Sequence, residues 1–354
     1  MKASCLQENL AEGLGVVGRF LKDGYLPATA CVLLSTDNGR LKLTATDLTS
    51  VATCWVGAQI EEEGAIAVPG RRFIDFVSHL LNERVELSSD GSVLHVSCDN
   101  DSAKFAGLSA EDFPPTPKIE GGVSVRVSGL ARAIEQVQFA TLTDDVRPVL
   151  TGIYLEAKGE TLTVMAADGF RAAIRKITLD EEASLSAIIP AKTLREVRRL
   201  MPEDVLIEAT PSWVRFSTDK AQIGATLIQG TYPNIEQLVP KDYSAEVRCD
   251  VKQLEREVAL ATVFAREENN AVRLEAKPGA LSILGDSSQH GQHRGEIVAS
   301  VEGEGRIALN SCYLRDALSA LSSELHLSLT TPNGPCLIQE EDYRCVIMPM
   351  FVQW

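Results

Sequence analysis

The chain has 354 residues, 45% hydrophobic and 23% charged, with a net charge of −15, a composition expected of a soluble globular protein of two to three domains. No apolar run is long enough to span a membrane and Met1-Lys2-Ala3-Ser4 begins no secretory apolar core, so a cytosolic protein without membrane partners is expected. Taken alone, the acidic balance argues against nucleic-acid binding, because phosphate contacts demand Lys and Arg.

In chain order, the first helical opening is Gln7-Glu8-Asn9-Leu10, followed by a strand pair whose first member is Leu41-Lys42-Leu43-Thr44-Ala45-Thr46-Asp47. Val68-Pro69 starts a second helix, since Pro suits a first turn, and Val85-Glu86-Leu87 an alternating strand. The same order returns with Ser128-Gly129-Leu130, Leu162-Thr163-Val164-Met165-Ala166-Ala167-Asp168, Ile189-Pro190 and Val205-Leu206-Ile207. It returns again with Lys252-Gln253-Leu254, Leu281-Ser282-Ile283-Leu284-Gly285-Asp286, Leu309-Asn310 and Leu325-His326-Leu327. Three copies of about 120 residues form an internal repeat. Pro-rich stretches at Phe113–Pro117 and Tyr232–Pro240 separate them, which sets the expected domains at 1–118, 119–244 and 245–354. Each copy holds two amphipathic helices on a sheet of short strands, an α+β arrangement. In the middle copy Asp168-Gly169 reads as the turn of a hairpin, because Gly accepts φ > 0 and Asp bonds its own backbone. Asp47 and Asp286 are expected to mark the sister turns, which lack the Gly-Phe-Arg that follows Asp168.

Six helices are expected, at 6–22, 69–82, 128–141, 190–202, 250–266 and 310–322, and they hold thirteen Lys/Arg against nine Asp/Glu. That is a surplus of four on a chain whose remainder carries −19. The positive charge is densest at Lys192, Arg195, Arg198 and Arg199 on one helix flank. Such a run is either a solvated face or part of a cationic surface on an acidic protein. With no aromatic residues arranged for base stacking, any DNA contact would be electrostatic and sequence-independent. The eight cysteines are scattered without a CxxC pair, which speaks against a structural zinc and for reduced, mostly buried thiols. Cys336 and Cys345 could face each other across a hairpin.

The chain resembles the bacterial sliding clamps, the β subunits of DNA polymerase III, along essentially its whole length. The matching features are Leu26-Pro27, Leu43-Thr44-Ala45-Thr46-Asp47-Leu48, Glu61-Glu62-Glu63-Gly64, Gly107 to Phe113-Pro114 and Asp145-Val146-Arg147-Pro148-Val149-Leu150-Thr151-Gly152. Ala167-Asp168-Gly169-Phe170-Arg171, Asn270-Ala271-Val272-Arg273-Leu274 and Ile347-Met348-Pro349-Met350 complete the set. The resemblance implies three clamp domains per chain, each with two helices on a curved antiparallel sheet, and a head-to-tail homodimer closed into a ring around duplex DNA. It implies a non-catalytic processivity factor without cofactors or metal, whose partners are the polymerase III α subunit, the clamp loader and other proteins with clamp-binding peptides. The lumen would carry Arg19, Lys22, Arg71, Arg72, Arg132, Lys192, Arg195, Arg198, Arg199, Lys252 and Arg256. The peptide pocket would be built from Arg147, Leu150, Ala167, Gly169, Phe170, Arg171 and Ala172, then Pro233, Gln237 and Leu238, then Cys336, Val346, Met348, Pro349 and Met350. Methionines suit a groove that serves several partners. The dimer contact would place Phe105 against Val263 and Phe264.

The chain departs from the family pattern where His is common at the position of Phe170 and Thr at Ala167, and it continues past Met350 as Phe351-Val352-Gln353-Trp354. An altered peptide preference follows as an expectation, with Trp354 partly covering the groove. Asp99 and Asp101 stand where basic residues are usual at the dimer contact, and His290, His293 and Arg294 where glutamates are usual, a reversed polarity that would discourage mixed rings. Asp23 and Asp144 replace basic or polar residues on the DNA side. Gly13-Leu14-Gly15-Val16-Val17-Gly18 matches a dinucleotide loop, but in the repeat register it falls inside a helix. Asp286, His290 and His293 could suggest a metal, with a solvated loop or an interface as the plainer reading. The alternatives to a replicative clamp are a divergent paralogue, with specialised partners or a protective role against a clamp inhibitor, and a cytosolic α+β enzyme whose acidic loops bind a cation.

Overall fold

The computed structural model describes every residue except Tyr25, Lys118, Glu120, Asp145, Glu267, Glu268 and Trp354. The first copy runs β1 (Lys2–Leu6), α1 (Gln7–Val17), β2 (Cys31–Asp37), β3 (Arg40–Thr46), β4 (Ser50–Gly57), β5 (Gln59–Glu62), β6 (Ala65–Pro69), α2 (Gly70–His79), β7 (Arg84–Asp90), β8 (Val93–Cys98) and β9 (Asp101–Ala106). The second runs β10 (Val123–Val127), α3 (Leu130–Val137), β11 (Gly152–Ala167), β12 (Arg171–Pro190), α4 (Ala191–Leu200), β13 (Val205–Ala209), β14 (Trp213–Ser217) and β15 (Ala221–Thr226). The third runs β16 (Ala245–Asp250), α5 (Val251–Ala265), β17 (Ala271–Lys277), β18 (Ala280–Ser287), β19 (Gly291–Val298), β20 (Ser300–Gly303), β21 (Gly305–Asn310), α6 (Ser311–Ser319), β22 (Glu324–Leu329), β23 (Cys336–Glu340) and β24 (Tyr343–Ile347).

All six expected helices are present, each somewhat shorter than the sequence window. The first helix of every copy buries the same face: Leu10, Leu14 and Val17 in α1, Leu130, Ile134 and Val137 in α3, Leu254, Val258 and Ala261 in α5. This is the i, i+4, i+7 stripe of an amphipathic helix, and each fully buried leucine contributes roughly 1.5–3 kcal/mol. Starts differ by copy. The Asp250 carboxylate accepts from Gln253 N at α5, and Asn310 Oδ1 accepts from Cys312 N and Tyr313 N at α6. The glycines that mimic a dinucleotide loop lie in and just after α1, and two of them serve packing. A Cβ on Gly13 would meet Val56 Cγ2 at 2.7 Å, and one on Gly18 would meet Ile74 Cδ1 at 2.6 Å.

The chain forms two compact units, residues 1–128 with 192–227, and 129–191 with 228–354. The first holds a five-stranded sheet, β5-β1-β7-β8-β9, and an eight-stranded sheet, β10-β13-β14-β15-β4-β3-β2-β6. The second holds a seven-stranded sheet, β11-β12-β24-β23-β22-β16-β20, and a four-stranded sheet, β19-β18-β17-β21. In each unit one sheet is continuous across two copies. In the first, Ser50 of β4 pairs with Ala225 of β15 and Cys54 with Ala221. In the second, Arg171 of β12 pairs with Ile347 of β24 and Arg175 with Tyr343. Alternation in the sequence identifies these strands but not their partners, which here include strands of the neighbouring copy.

The hairpin turns show the repeat at atomic detail. Asp47 Oδ1 accepts from Thr49 N at 3.1 Å and Ser50 N at 2.7 Å. Asp168 Oδ1 accepts from Phe170 N at 2.9 Å and Arg171 N at 3.0 Å. In the third copy Ser287 Oγ takes this place, accepting from Gln289 N at 3.3 Å and His290 N at 3.2 Å. The expectation that Asp286 caps the third turn is therefore corrected by one residue. The turn there also holds one more residue, because Ser287 pairs with Gly291, whereas Asp47 bonds Ser50 and Asp168 bonds Arg171.

Candidate functional site

In the second unit β11 and β12 form a long hairpin whose tip is the Asp168 turn, with Gly169 at φ +97°. That angle favours glycine. It turns Phe170 outward, leaving the ring 63% exposed, and turns Arg171 inward. The Arg171 side chain is 10% exposed, and every edge of its guanidinium is used. Nε donates to Asp168 Oδ2 at 2.9 Å, Nη1 to Asp316 Oδ2 of α6 at 2.6 Å, and Nη2 to the Phe139 carbonyl. Its Cζ lies 4.3 Å from the Tyr313 ring centroid and 5.0 Å from that of Phe139. Burial would weaken its charge, but Asp316 and Asp168 more than offset this and push its pKa up. Arg171 is a buried pin between two copies, and its planar fork suits two carboxylates and two rings at once. Expected in the rim and floor of the pocket, it lies buried behind the exposed Phe170.

Around this pin is an apolar cluster of Leu150, Met165, Ala167, Ala172, Ile174, Ile188, Tyr232 and Ile235. Tyr154 stacks on Tyr232 with centroids 5.0 Å apart. Of the expected pocket residues, Leu150, Ala167 and Ala172 lie in this cluster. Phe170, Leu238 and Met348 are exposed large apolar side chains, Pro233, Gln237 and Arg147 are exposed polar or small neighbours, and Pro349 and Met350 are half-buried. Gly169 lies beside Arg147, whose Nη1 would be 3.9 Å from a Cβ there. Cys336 and Val346 do not reach the surface. They are fully buried in the ladder, where Val346 sits opposite Ala172. Sequence reasoning missed Met165, Ile174, Ile188, Tyr232 and Ile235 in the cluster, and Tyr313, which stacks on Phe170 at 6.4 Å.

The end of the chain is fastened beside this surface. Met348 N donates to the Phe170 carbonyl at 2.8 Å, Met350 N to the Ala308 carbonyl of β21 at 2.8 Å, and Arg273 Nη2 to the Gln353 carbonyl at 3.3 Å. Trp354, expected to cover the groove, lies outside the described residues.

Arg198 is half-buried, and the other ten cations expected at the lumen divide into two classes. Four are engaged within the chain: Arg19 with Glu196 at 3.6 Å, Arg71 with Asp23 at 3.1 Å, Arg132 with Glu135 at 3.0 Å and Lys192 with Asp47 at 2.9 Å. Arg132 also donates to the Ala320 carbonyl at the end of α6, where a cation suits the helix dipole. Lys22, Arg72, Arg195, Arg199, Lys252 and Arg256 are exposed and carry no ion pair among the described residues. At the expected self-contact, Phe105 already packs edge-on against Phe73 and Phe76 of α2, Phe264 stacks on His293, and Val263 is 62% exposed. A concavity of about 580 Å³ over β1, β7, β8 and β9 is lined by Lys2, Glu61, Glu86, His95 and Lys104, and offers charge pairs rather than an apolar receptor.

Family models describe three successive parts of the chain: the N-terminal domain of the DNA polymerase III beta subunit over residues 1–117, its central domain over 124–234 and its C-terminal domain over 236–351. A beta sliding clamp of Streptomyces coelicolor is 30% identical over 99% of both chains. A beta sliding clamp homolog of Streptomyces muensis, GriR, is 29% identical over 96% of this chain and 93% of its own. The crystal structure of the DNA polymerase sliding clamp from Bacillus subtilis superposes with a TM-score of 0.95, at 27% identity and with full coverage of both chains.

Proposed function

The chain belongs to the DNA polymerase III beta subunit family, and we propose that it acts as a DNA sliding clamp, a non-enzymatic processivity factor of the cytoplasm. In this reading the domains 1–118, 119–244 and 245–354 of one chain join head to tail with those of a second, closing a ring around duplex DNA. The observation that carries it is the presence of exposed cations without an ion pair among the described residues, Lys22, Arg72, Arg195, Arg199, Lys252 and Arg256, on a chain of net charge −15. Cations free of carboxylates attract phosphate without reading bases, and the acidic remainder repels DNA. A contact of this kind holds the duplex while leaving it free to move along the axis.

The Phe170, Leu238 and Met348 surface over the Leu150–Tyr232 cluster supports a docking groove for short apolar peptides of the polymerase α subunit, the clamp loader and other clamp-binding proteins. The edge strands β9 and β19 support the dimer, because each ends its sheet with one side unpaired. The test is retention on nicked circular DNA in the presence of a loader. A clamp stays on the circle in low salt and is released when the circle is linearised. Equal retention on linear and circular DNA would sink this reading.

A further inference from the structure

The dimer proposed above acquires a register from the two junctions inside the chain. Each junction joins the second strand of one copy's hairpin to the last strand of the next copy. In the first, the leading residue of β4, Ser50, faces the fifth residue of β15, Ala225. In the second, the leading residue of β12, Arg171, faces the fifth residue of β24, Ile347. Both ladders are antiparallel and five pairs long. The third copy has the same hairpin strand, β19, starting at Gly291, and the first copy has the same last strand, β9, starting at Asp101. Both are edge strands, and they are not bonded to each other. A further mark of an unfilled junction lies on α5. Val263 stands nine residues after Leu254, as Arg19 does after Leu10 and Phe139 after Leu130. Arg19 touches the neighbouring copy at Glu196, and Phe139 holds Arg171, which itself reaches Asp316 of the neighbouring copy, whereas Val263 is 62% exposed.

We infer that β9 of a second copy adds to β19 with Gly291 opposite Phe105, His293 opposite Ala103 and Gly295 opposite Asp101, and that this register sets Asp101 against the His293–Glu257 pair. The geometry on the β19 side is already in place. His293 Nε2 lies 3.3 Å from Glu257 Oε2, its ring stacks on Phe264, and the Glu257 carboxylate fills the space that a Cβ on Gly295 would need. Asp101, exposed and without an ion pair among the described residues, arrives opposite that glycine. The incoming strand thus brings a second carboxylate to an imidazole that already has one. Side chains alternate along a strand, so Arg294 on β19 and Lys104 on β9 point to the other face. On α5 the group facing His293 is Glu257. On α2, which backs β9, Phe73 and Phe76 cover Phe105, with Arg72, Asp75 and His79 exposed.

The protonated imidazole between two carboxylates is favoured in the dimer over the monomer, so association takes up a proton. The dimer therefore tightens as pH falls and loosens as it rises. Sedimentation of the full chain from pH 8 to pH 6 should show the dissociation constant falling by about three- to tenfold. His293→Gln and Asp101→Asn should each flatten that profile while leaving a dimer. In a Cys312→Ser background, Ser102→Cys with Arg294→Cys should form a covalent dimer on oxidation, since directly opposed strand residues are within disulfide reach. Ser102→Cys with Gln292→Cys, two residues out of register, should not. A pH-independent dissociation constant, or cross-linking by the shifted pair in place of the opposed one, overturns the inference and leaves the dimer standing. A wild-type chain that stays monomeric at every concentration overturns the dimer itself.

Discussion

The turns at Asp47 and Asp168 share one backbone device and put it to different use. In both, a carboxylate accepts two amide protons and the turn hands its strand to the next copy. At Asp47 the second carboxylate oxygen binds Lys192, and Ser50 meets Thr193 at 3.0 Å. At Asp168 the equivalent of Ser50 is Arg171, which reaches α6 and stacks on two rings, and the residue before it is an exposed phenylalanine. The first turn is a joint. The second is a joint that also carries an apolar surface, because the buried arginine holds the strand rigid while Phe170 stays free to be touched. Repetition supplies the scaffold, and a three-residue departure from it makes a place to dock.

The largest effect that would break this comparison is Arg171→Ala. It strands two carboxylates at a copy junction and should cost about 3–5 kcal/mol in denaturant unfolding, with Lys recovering little of it. A cost near that of an ordinary surface salt bridge would put the pin elsewhere. Asp47→Ala removes a cap and the Lys192 contact and should cost about 2 kcal/mol. Burial raises the Asp47 pKa, but Lys192 and the bonds from Thr49 and Ser50 outweigh it and leave it below the usual carboxylate value of 3.8. The stability it adds is thus complete above about pH 4 and is lost as acid protonates it. A thermal-denaturation series from pH 6 to pH 2 should show wild type converging on Asp47→Ala. Phe170→Ala should leave stability within about 0.5 kcal/mol but weaken binding of an apolar clamp-binding peptide by about tenfold, read by calorimetry. The smallest effect is at Leu48, the counterpart of Gly169, which holds φ +75° without being glycine. Leu48→Gly should relieve that strain and stabilise by about 0.5–1 kcal/mol. A loss of stability would mean the leucine side chain matters more than its backbone.

The sequence was readable where a local rule decides. Leu10, Leu130 and Leu254 announce their helices by period, and Asp168-Gly169 announces its turn by residue type. It was silent on strand partners, because alternation shows that β15 and β24 have a buried face but not that they pair with β4 and β12 of another copy. It did not show that Arg171 is buried, since a lone arginine is expected at the surface and its partners Asp316, Tyr313 and Phe139 are far away in sequence. The third turn slipped by one because Asp286 and Ser287 are equally good turn residues, and only the ladder distinguishes them. The cations of the expected helices could be counted but not sorted into those with and those without an ion pair among the described residues, since Glu196, Asp23 and Asp47 approach Arg19, Arg71 and Lys192 only in the fold.

All eight cysteines are free thiols, and seven are buried. Burial pushes Cys345 up to about 12, Cys249 to about 12, and Cys5 and Cys54 to about 11. Thiolate is the species that alkylates, so these sulfurs are chemically mute at neutral pH. Cys312 is the exposed one, at the start of α6 next to the Tyr313 ring that stacks on Phe170. The native chain therefore has one addressable sulfur, placed beside the groove. A maleimide dye added to the folded protein should label it in one-to-one stoichiometry and report, by its own emission, when a peptide settles against Phe170.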